Sequence, residues 1–297
     1  MAVFKHAYKG YDGPLTPAWS RFLILPRYAF EEMRSKRFYS VFFVVSMLPP
    51  LIFGLLIYLQ HNLSALKMLQ VRDLISINER FFMNFLGWQS MMAFFLAAFV
   101  GPGQISPDLA NNALSLYLAR PFSRAEYVIG KLSVLLILMS VMTWIPGLLL
   151  FILQASLEGN GWFGHNLRIA NAIFFGSWIW ILLLSLLALA LSAWVKWKPM
   201  AGGLLFGVFF VAGGFAGAIN AILRTRWGNL INVGHLVGSV WGSLFEQPQR
   251  RGTGAVFFRV SRGEDIPIWC CWMALLAICG LCLYLLSRKI RGAEVVR

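Results

Sequence analysis

Charge is scarce in this sequence of 297 residues. Only 13% of the residues are Asp, Glu, Lys or Arg, and 59% are hydrophobic. Typical soluble domains carry about 25% charged and roughly 45–50% apolar residues. A chain with so little charge cannot cover a water-facing surface of this size. The composition therefore excludes a soluble enzyme, a disordered protein and a fibrous repeat, and it indicates an integral membrane protein.

Negative charge is scarcer still, with 12 Asp and Glu against 26 Lys and Arg, which gives a formal net charge of +14. In a soluble protein such an excess would favour nucleic-acid binding, but no basic cluster lies in a soluble segment here. In a membrane protein, cationic connections flank the spans on the cytoplasmic side and meet anionic lipid. We therefore expect membrane lipid, and no nucleic acid, among the partners.

Ionisable residues are missing from the apolar runs. Ion-coupled carriers and pumps usually place such groups inside the membrane, and intramembrane hydrolases need a base, a nucleophile or a metal site. Their absence disfavours a channel, an ion-coupled carrier and a membrane enzyme. Six runs approach or exceed the roughly 20 residues that cross a bilayer as helix. They are residues 40–60, 81–100, 132–154, 169–195, 199–222 and 267–287.

The polar residues that do occur in these runs are mild. We expect them to make hydrogen bonds between helices, with a part in a transport path as the alternative. Prolines inside the first and third runs are tolerated where neighbouring helices satisfy the freed carbonyls. The polar residues are Asn84, Gln89, Ser90, Thr143, Ser177, Ser185 and Asn220, and the prolines are Pro49, Pro50 and Pro146.

A nucleotide-binding loop is also missing. The nearest match to its pattern ends at Gly130 and Lys131, but Ala125 occupies the first glycine position and Leu132 replaces the required Ser or Thr. The chain therefore cannot build the phosphate cradle, and we expect no ATPase activity of its own and no cofactor.

Metal-ligating side chains are few and scattered. The four histidines are far apart in the sequence, and cysteine inside a membrane helix behaves as a small apolar residue, so we expect no metal site. The alternative for the Cys-x-x-Cys pair at 279 and 282 is redox or metal chemistry. The residues are His6, His61, His165, His235, Cys270, Cys271, Cys279 and Cys282.

The Lys and Arg counts predict the orientation. Seven precede the first span within residues 1–39 and three follow it within 61–80. Because the positive side stays inside, both termini are expected in the cytoplasm of a cell with the chain in its inner (plasma) membrane. No apolar run in residues 1–39 is long enough for a signal peptide, so the first span is expected to serve as the insertion signal.

Three segments outside the spans are expected to be structured. Residues 17–39 predict a helix on the membrane surface, with a plain basic linker as the alternative. Residues 106–120 predict a helix capped by Ser106, opened by Pro107 and favoured by Asp108 near its positive end. The long outer connection, 223–266, contains an apolar stretch at 229–245 that fits an interfacial or re-entrant helix.

Residues 104–131, QISPDLANNALSLYLARPFSRAEYVIGK, resemble the cytoplasmic stretch of ABC-2-type permeases, the membrane subunits of one class of ATP-binding-cassette transporters. The matching positions also include Tyr127 and Gly130, and the basic tail SRKIRGAEVVR resembles the ending of a bacterial subgroup. The resemblance implies that this stretch docks onto a partner ATPase and transmits its motion. The residues it implies for coupling are Ile105, Asp108, Leu116, Leu118, Arg120, Pro121, Arg124 and Lys131.

The fold expected is therefore all-α, a single transmembrane domain over residues 1–297. It comprises a cytoplasmic segment (1–39), a six-span bundle (40–287) and a cytoplasmic tail (288–297). The resemblance implies the permease subunit of an exporter, a second permease subunit and a cytoplasmic ABC ATPase as a separate chain. A non-transporting scaffold subunit of a larger membrane assembly is the alternative.

The fifth span carries a face of small residues that lets another helix approach closely. Packing within the bundle is the expected role of this face, and a dimer seam is the alternative. Its members are Gly203, Gly207, Gly214 and Ala218.

Overall fold

The computed structural model describes residues 18–62, 76–111, 113, 123–159, 161–246 and 266–290, and within these ranges all regular secondary structure is helical. Two short 3₁₀ helices, Ala18–Leu23 and Trp227–Leu230, accompany the α-helices. In chain order the α-helices are α1 Ile24–Ser35, α2 Arg37–Ser46, α3 Leu48–His61, α4 Glu79–Val100, α5 Pro102–Ala110, α6 Arg124–Met142, α7 Trp144–Glu158, α8 Trp162–His165, α9 Leu167–Trp194, α10 Lys198–Leu223, α11 Val233–Leu244 and α12 Ile268–Lys289.

Within the described ranges, six helical stretches are long and apolar enough to cross a membrane, which confirms the all-α, six-span prediction. Spans 1 and 3 are each formed by two consecutive α-helices, and span 2 continues into α5. The boundaries lie within a few residues of the expected ones, except where these extensions lengthen spans 2 and 3. The spans are Arg37–His61, Glu79–Ala110, Arg124–Glu158, Leu167–Trp194, Lys198–Leu223 and Ile268–Lys289.

Span 4 forms the centre of the bundle and touches spans 2, 3, 5 and 6. Of its most apolar stretch, 72% of the residues are buried within the chain, against 11% for span 1 and 22% each for spans 5 and 6. Its buried aromatic residue Trp180 packs edge-on against Phe209 of span 5 and donates a hydrogen bond from Nε1 to the Ser90 carbonyl of span 2. Spans 1, 5 and 6 thus lie at the periphery, where most of their apolar surface is exposed.

The two ends of the bundle are distinguished by the elements that meet at each of them. We call the base the end where α1, α5, the start of α6 and the end of α9 meet. At the opposite, distal end, His61 Nε2 of span 1 lies 2.9 Å from Glu158 Oε2 of span 3. Arg168, at the start of span 4, pairs there with Glu79 and Glu246.

Spans 1 and 3 are interrupted near their prolines. Met47 separates α2 from α3 just before Pro49 and Pro50, and Thr143 separates α6 from α7 three residues before Pro146. Proline has no N–H, so it leaves the carbonyl four residues earlier without its helical donor. For Pro50 that carbonyl belongs to Ser46, and Gln89 of span 2 donates to it from Nε2 at 3.1 Å. A neighbouring helix thus supplies the missing bond, as membrane prolines require.

A helix precedes span 1, as the sequence predicts. The 3₁₀ turn leads into α1, and Lys36 separates α1 from the span. The exposed residues of α1 include the aromatic Tyr28 and the cationic Arg27 and Arg34. Lys36 Nζ lies 2.6 Å from Glu32 Oε1, and this hydrogen bond lowers the pKa of Glu32. Pro26 lies buried in the first turn of α1.

The connection after span 5 contains the helix expected at 229–245, now placed at Val233–Leu244. Ten consecutive residues of α11 are buried, because the helix packs against spans 4, 5 and 6. Trp241 Nε1 donates to the Gly176 carbonyl of span 4 at 2.9 Å. The 3₁₀ turn before α11 is fastened by Asn220, whose Oδ1 accepts from Gly228 N at 2.9 Å. This helix of the connection is therefore incorporated into the bundle, whereas residues 223–227 before it are exposed.

Among the described residues, the small-residue face of span 5 meets no packing partner, so its role within the bundle or in a dimer seam stays a prediction. A Cβ built on Gly203, Gly207 or Gly214 meets no described atom within 4 Å, and Ala218 is exposed. Span 5 instead turns its other face inward. There Phe209 packs edge-on against Phe94 and Trp180, and a Cβ on Gly202 would lie 2.8 Å from the Ala98 carbonyl oxygen of span 2.

Replacing Gln89 by Leu is expected to lower the free energy of unfolding by about 1 kcal/mol, because the Ser46 carbonyl loses its donor in an apolar setting. Thermal unfolding in detergent measures the change. Pro50→Ala restores a backbone N–H that can bond the same carbonyl. Gln89→Leu should therefore cost less in the Pro50→Ala background than in the wild type. An equal cost in both backgrounds would contradict this account of the break in span 1.

Candidate functional site

The segment expected to couple to a partner begins as the helix α5, but its start differs from the expectation. The helix begins at Pro102, with Gly101 as its N-cap, four residues before Ser106. Ser106 is therefore no cap: it is fully buried in the helix, and its hydroxyl donates to the Lys196 carbonyl at the end of span 4. Pro107 lies inside the helix. Proline is favoured at the first position of a helix. Pro102 occupies that position, where Pro107 was expected.

Asp108 lies near the end of α5 and not near its positive end, so the helix dipole does not stabilise it as predicted. Two side chains of α6 do so instead. Lys131 Nζ lies 2.9 Å from Asp108 Oδ2, and the Tyr127 hydroxyl donates to the same oxygen at 2.7 Å. The carboxylate and the ammonium group are only 16% and 14% exposed. We call Asp108, Tyr127 and Lys131 the basal triad.

The chain enters α6 through a capping box. The Ser123 hydroxyl accepts from Glu126 N at 3.2 Å, and the Glu126 carboxylate accepts from Ser123 N at 2.6 Å. This reciprocal pair satisfies two backbone donors that a helix start otherwise leaves free. Arg124, the first residue of the helix, is exposed and makes no part of the triad. The capping box thus fixes the entry into span 3.

Gly130 places α1 and the preceding 3₁₀ turn against the start of span 3. A Cβ on Gly130 would lie 2.6 Å from Leu25 Cδ1 and 3.0 Å from the Phe22 carbonyl oxygen. Any side chain larger than hydrogen would therefore push this segment away. Because Gly130 and Lys131 are consecutive, one turn of α6 holds α1 on one side and α5 on the other.

Ile105 is fully buried in the core, so its side chain forms no outward surface. Leu109 is partly buried against the same core. Four other residues that the resemblance implies for coupling lie outside the residues that the structure describes. They are Leu116, Leu118, Arg120 and Pro121.

Among the described residues, the histidine and cysteine side chains do not converge on a common site. Across the described ranges, no group of three His, Cys, Asp or Glu side chains could hold a metal ion. His61 pairs with Glu158, His165 Nδ1 contacts the Gly161 carbonyl of its own turn, and His235 is buried in α11. None of the four cysteines, all within the described ranges, forms a disulfide bond. Three of them, Cys270, Cys271 and Cys282, are buried among apolar neighbours of the core.

At the base, Tyr127 and Lys131 therefore meet the Asp108 carboxylate, although these positions lie 19 and 23 residues further along the 104–131 stretch. Residues 29–227, which include all of this stretch, match the family described as ABC-2 family transporter protein. The chain belongs to the ABC-2 transporter family. It is a multi-pass membrane protein and the permease component of an ATP-binding-cassette transporter. No curated protein matches the chain.

Three features of the permease base escaped the list of coupling residues drawn from the sequence. Tyr127 was noted only as the aromatic of the pattern, although its hydroxyl completes the basal triad. The Ser-x-x-Glu at 123–126 is a sequence signal for a helix start and could have placed the beginning of α6. Ser192 of span 4, which bonds the backbone of α5, carries no such signal, since a lone serine at the end of an apolar run is common.

Breaking the basal triad should destabilise the permease. Lys131→Met leaves the Asp108 carboxylate with only its tyrosine donor in a mostly buried position, and we expect a loss of about 2 kcal/mol in unfolding free energy. Adding Asp108→Asn removes the unpaired charge and keeps an acceptor for Tyr127, so the double variant should recover part of the loss. Thermal unfolding in detergent compares the variants, with Arg124→Met as an exposed control expected to change stability by less than about 0.5 kcal/mol. Strictly additive losses would show that Lys131 and Asp108 do not interact.

Proposed function

We propose that the base of this permease receives a separate cytoplasmic ABC ATPase and passes its ATP-driven motion to the spans, which export a substrate. The basal triad carries this proposal. It joins the end of α5 to the start of α6, and so it clamps together the two ends of the stretch between Asn111 and Ser123. The resemblance implies that this stretch is the docking element.

A docking element transmits motion only if its ends are firmly attached. On one side α5 is bonded to span 4 and to the triad, and on the other Ser123 and Glu126 fix the beginning of span 3. A push on the intervening residues therefore acts on spans 3 and 4 together. This arrangement supports coupling more strongly than a freely hanging loop would.

The orientation follows from the same assignment. An ATPase that uses cytoplasmic ATP must meet the base from inside, so we propose that the base and both termini face the cytoplasm and that the membrane is the inner (plasma) membrane. The excess of Lys and Arg before span 1 supports this direction. Exposed Arg27, Arg34 and Arg37 are then near anionic lipid headgroups, with Tyr28 in the apolar layer.

A second permease subunit is proposed against the small-residue face of span 5. Gly203, Gly207 and Gly214 have no described neighbour in the chain, and spans 1 and 5 are among the least buried spans. Small residues let helix backbones approach closely in lipid, where packing and not hydrophobicity drives association. Export is proposed as the direction because the family resemblance implies it.

Capture of the ATPase tests the proposed function. Detergent-solubilised wild-type permease should retain from its native membranes a protein with a nucleotide-binding loop, identified by mass spectrometry. Leu116→Asp should lower the retained amount well over tenfold, because it buries an unpaired charge in an apolar contact. Its gel-filtration profile should remain that of the wild type, since Leu116 is proposed to face the partner and not the bundle.

The matched control is Leu157→Asp, an exposed leucine at the distal end, which should retain the ATPase. Aggregation of Leu116→Asp in detergent would indicate that this leucine packs on its own bundle. A folded Leu116→Asp protein that keeps its partner and supports ATP-driven transport would reject the docking assignment. If ATPase added to intact cells bound to the base of the permease from outside, the proposed orientation would be rejected.

Cysteine cross-linking tests the second subunit. With the four native cysteines replaced by alanine, Gly207→Cys should give disulfide-linked permease dimers in oxidised membranes, because the same face of two copies meets at a symmetric interface. Ala201→Cys is the control: it lies on the same helix but is buried within the chain, and should stay monomeric. Absence of dimers from both Gly207→Cys and Gly214→Cys would contradict the proposed seam.

A further inference from the structure

The hydroxyl of Ser192 makes three hydrogen bonds to the backbone of α5. Ser192 lies fully buried in the last turn of span 4. Its Oγ accepts from Ile105 N at 3.1 Å and from Ser106 N at 3.0 Å, and it donates to the Pro102 carbonyl at 3.0 Å. We call this set of bonds the Ser192 bridge.

The bridge bonds the backbone in the first half of α5, between Pro102 and Ser106. Pro102 and Pro107 contribute no N–H, so the short helix has two donors fewer than its length would give. The Pro102 carbonyl and the Ser106 N–H are the partners of one regular helical turn, four residues apart. The Ser192 hydroxyl bonds both of them. Span 4 is thus attached to the helical framework of α5 itself and not to an interchangeable side chain.

Two further contacts hold the same pair of elements together. The Ser106 hydroxyl donates to the Lys196 carbonyl, just beyond span 4. One turn earlier, a Cβ on Gly101 would lie only 2.6 Å from Ala188 Cβ, so the missing side chain lets the two backbones approach. From Pro102 onward, α5 is thus bonded to span 4 as well as continuing span 2.

We propose that Ser192 is the positioning residue through which displacement of the base reaches span 4, so that α5 and the basal end of span 4 move as one body. This inference rests on the proposed coupling function. Ser192 does not touch the ATPase; it acts through α5. Because span 4 contacts spans 2, 3, 5 and 6, motion delivered to its basal end is communicated to most of the bundle.

The test compares Ser192→Ala with Ser185→Ala. The two serines are seven residues apart on one face of span 4 and are both fully buried, but the Ser185 hydroxyl reaches only Met139 Sδ at 3.9 Å. Paired spin labels replace the exposed residues Tyr58 and Leu167 at the distal ends of spans 1 and 4, in a chain without native cysteines. The distance between the labels is measured in the permease–ATPase complex before and after addition of ATP and Mg²⁺.

We expect Ser192→Ala to retain the ATPase in wild-type amount and to lose at least half of the ATP-dependent change in distance. Ser185→Ala should show the full change. In the permease alone, amide hydrogen exchange of the peptide that contains Ile105 and Ser106 should accelerate at least tenfold in Ser192→Ala only. A purely structural role for Ser192 would lower thermal stability without altering the change in distance per retained complex.

A full change in distance in Ser192→Ala, unchanged exchange at Ile105 and Ser106, or an equal loss in Ser185→Ala would overturn the inference. If Ser192→Ala does not accumulate, Ser106→Ala removes the parallel bond to Lys196 and should reduce the change by a smaller fraction. An undiminished change would then overturn it. A wild-type permease that retains no ATPase rejects the proposed function itself, whereas the exchange rates report on the bridge independently.

Discussion

The constraint behind this structure is that a bilayer offers no hydrogen-bond partners, so each interruption of a helix must be repaired from within the protein. The chain interrupts its spans at three places, near Met47, Gly101 and Thr143. At the first, Gln89 bonds the carbonyl that Pro50 leaves without a donor. At the second, Ser192 bonds the backbone beyond the break. Gln89 joins spans 1 and 2, and Ser192 joins spans 2 and 4, so at these two breaks the repair also holds neighbouring spans together.

The spans could be predicted from sequence because their signal is local: an apolar run of about 20 residues needs no knowledge of its neighbours. The environment of Asp108 could not. Locally, Ser106, Pro107 and Asp108 have the pattern of a helix start. The helix nevertheless begins earlier, at Pro102, with Gly101 as its N-cap. The outcome depends on bonds from Ser192 and Lys196, about 90 residues away, and on a cation at Lys131, none of which a local pattern contains.

The glycines of span 5 show the same limit from the other side. Gly202 and Gly203 are adjacent, but only Gly202 packs inside the chain, where Ala98 approaches it. Periodicity identified the small-residue face correctly as a face, yet it could not decide what would cover it. That decision rests with Phe209, whose ring fills the space between Phe94 and Trp180 and so turns the glycines outward.

Span 2 has the lowest hydropathy of the six, 1.4, yet 61% of its most apolar stretch is buried. In the folded state span 2 is surrounded mainly by other helices and not by lipid. Gln89, for example, bonds span 1, and the Ser90 carbonyl bonds span 4. During synthesis, however, span 2 leaves the ribosome before span 4 exists to cover it. Span 1, with a hydropathy of 2.3, is apolar enough to remain in lipid unaided. Because of the order of the spans along the chain, the less apolar span 2 can insert beside the more apolar span 1. Span 4 is synthesised later and then packs against span 2.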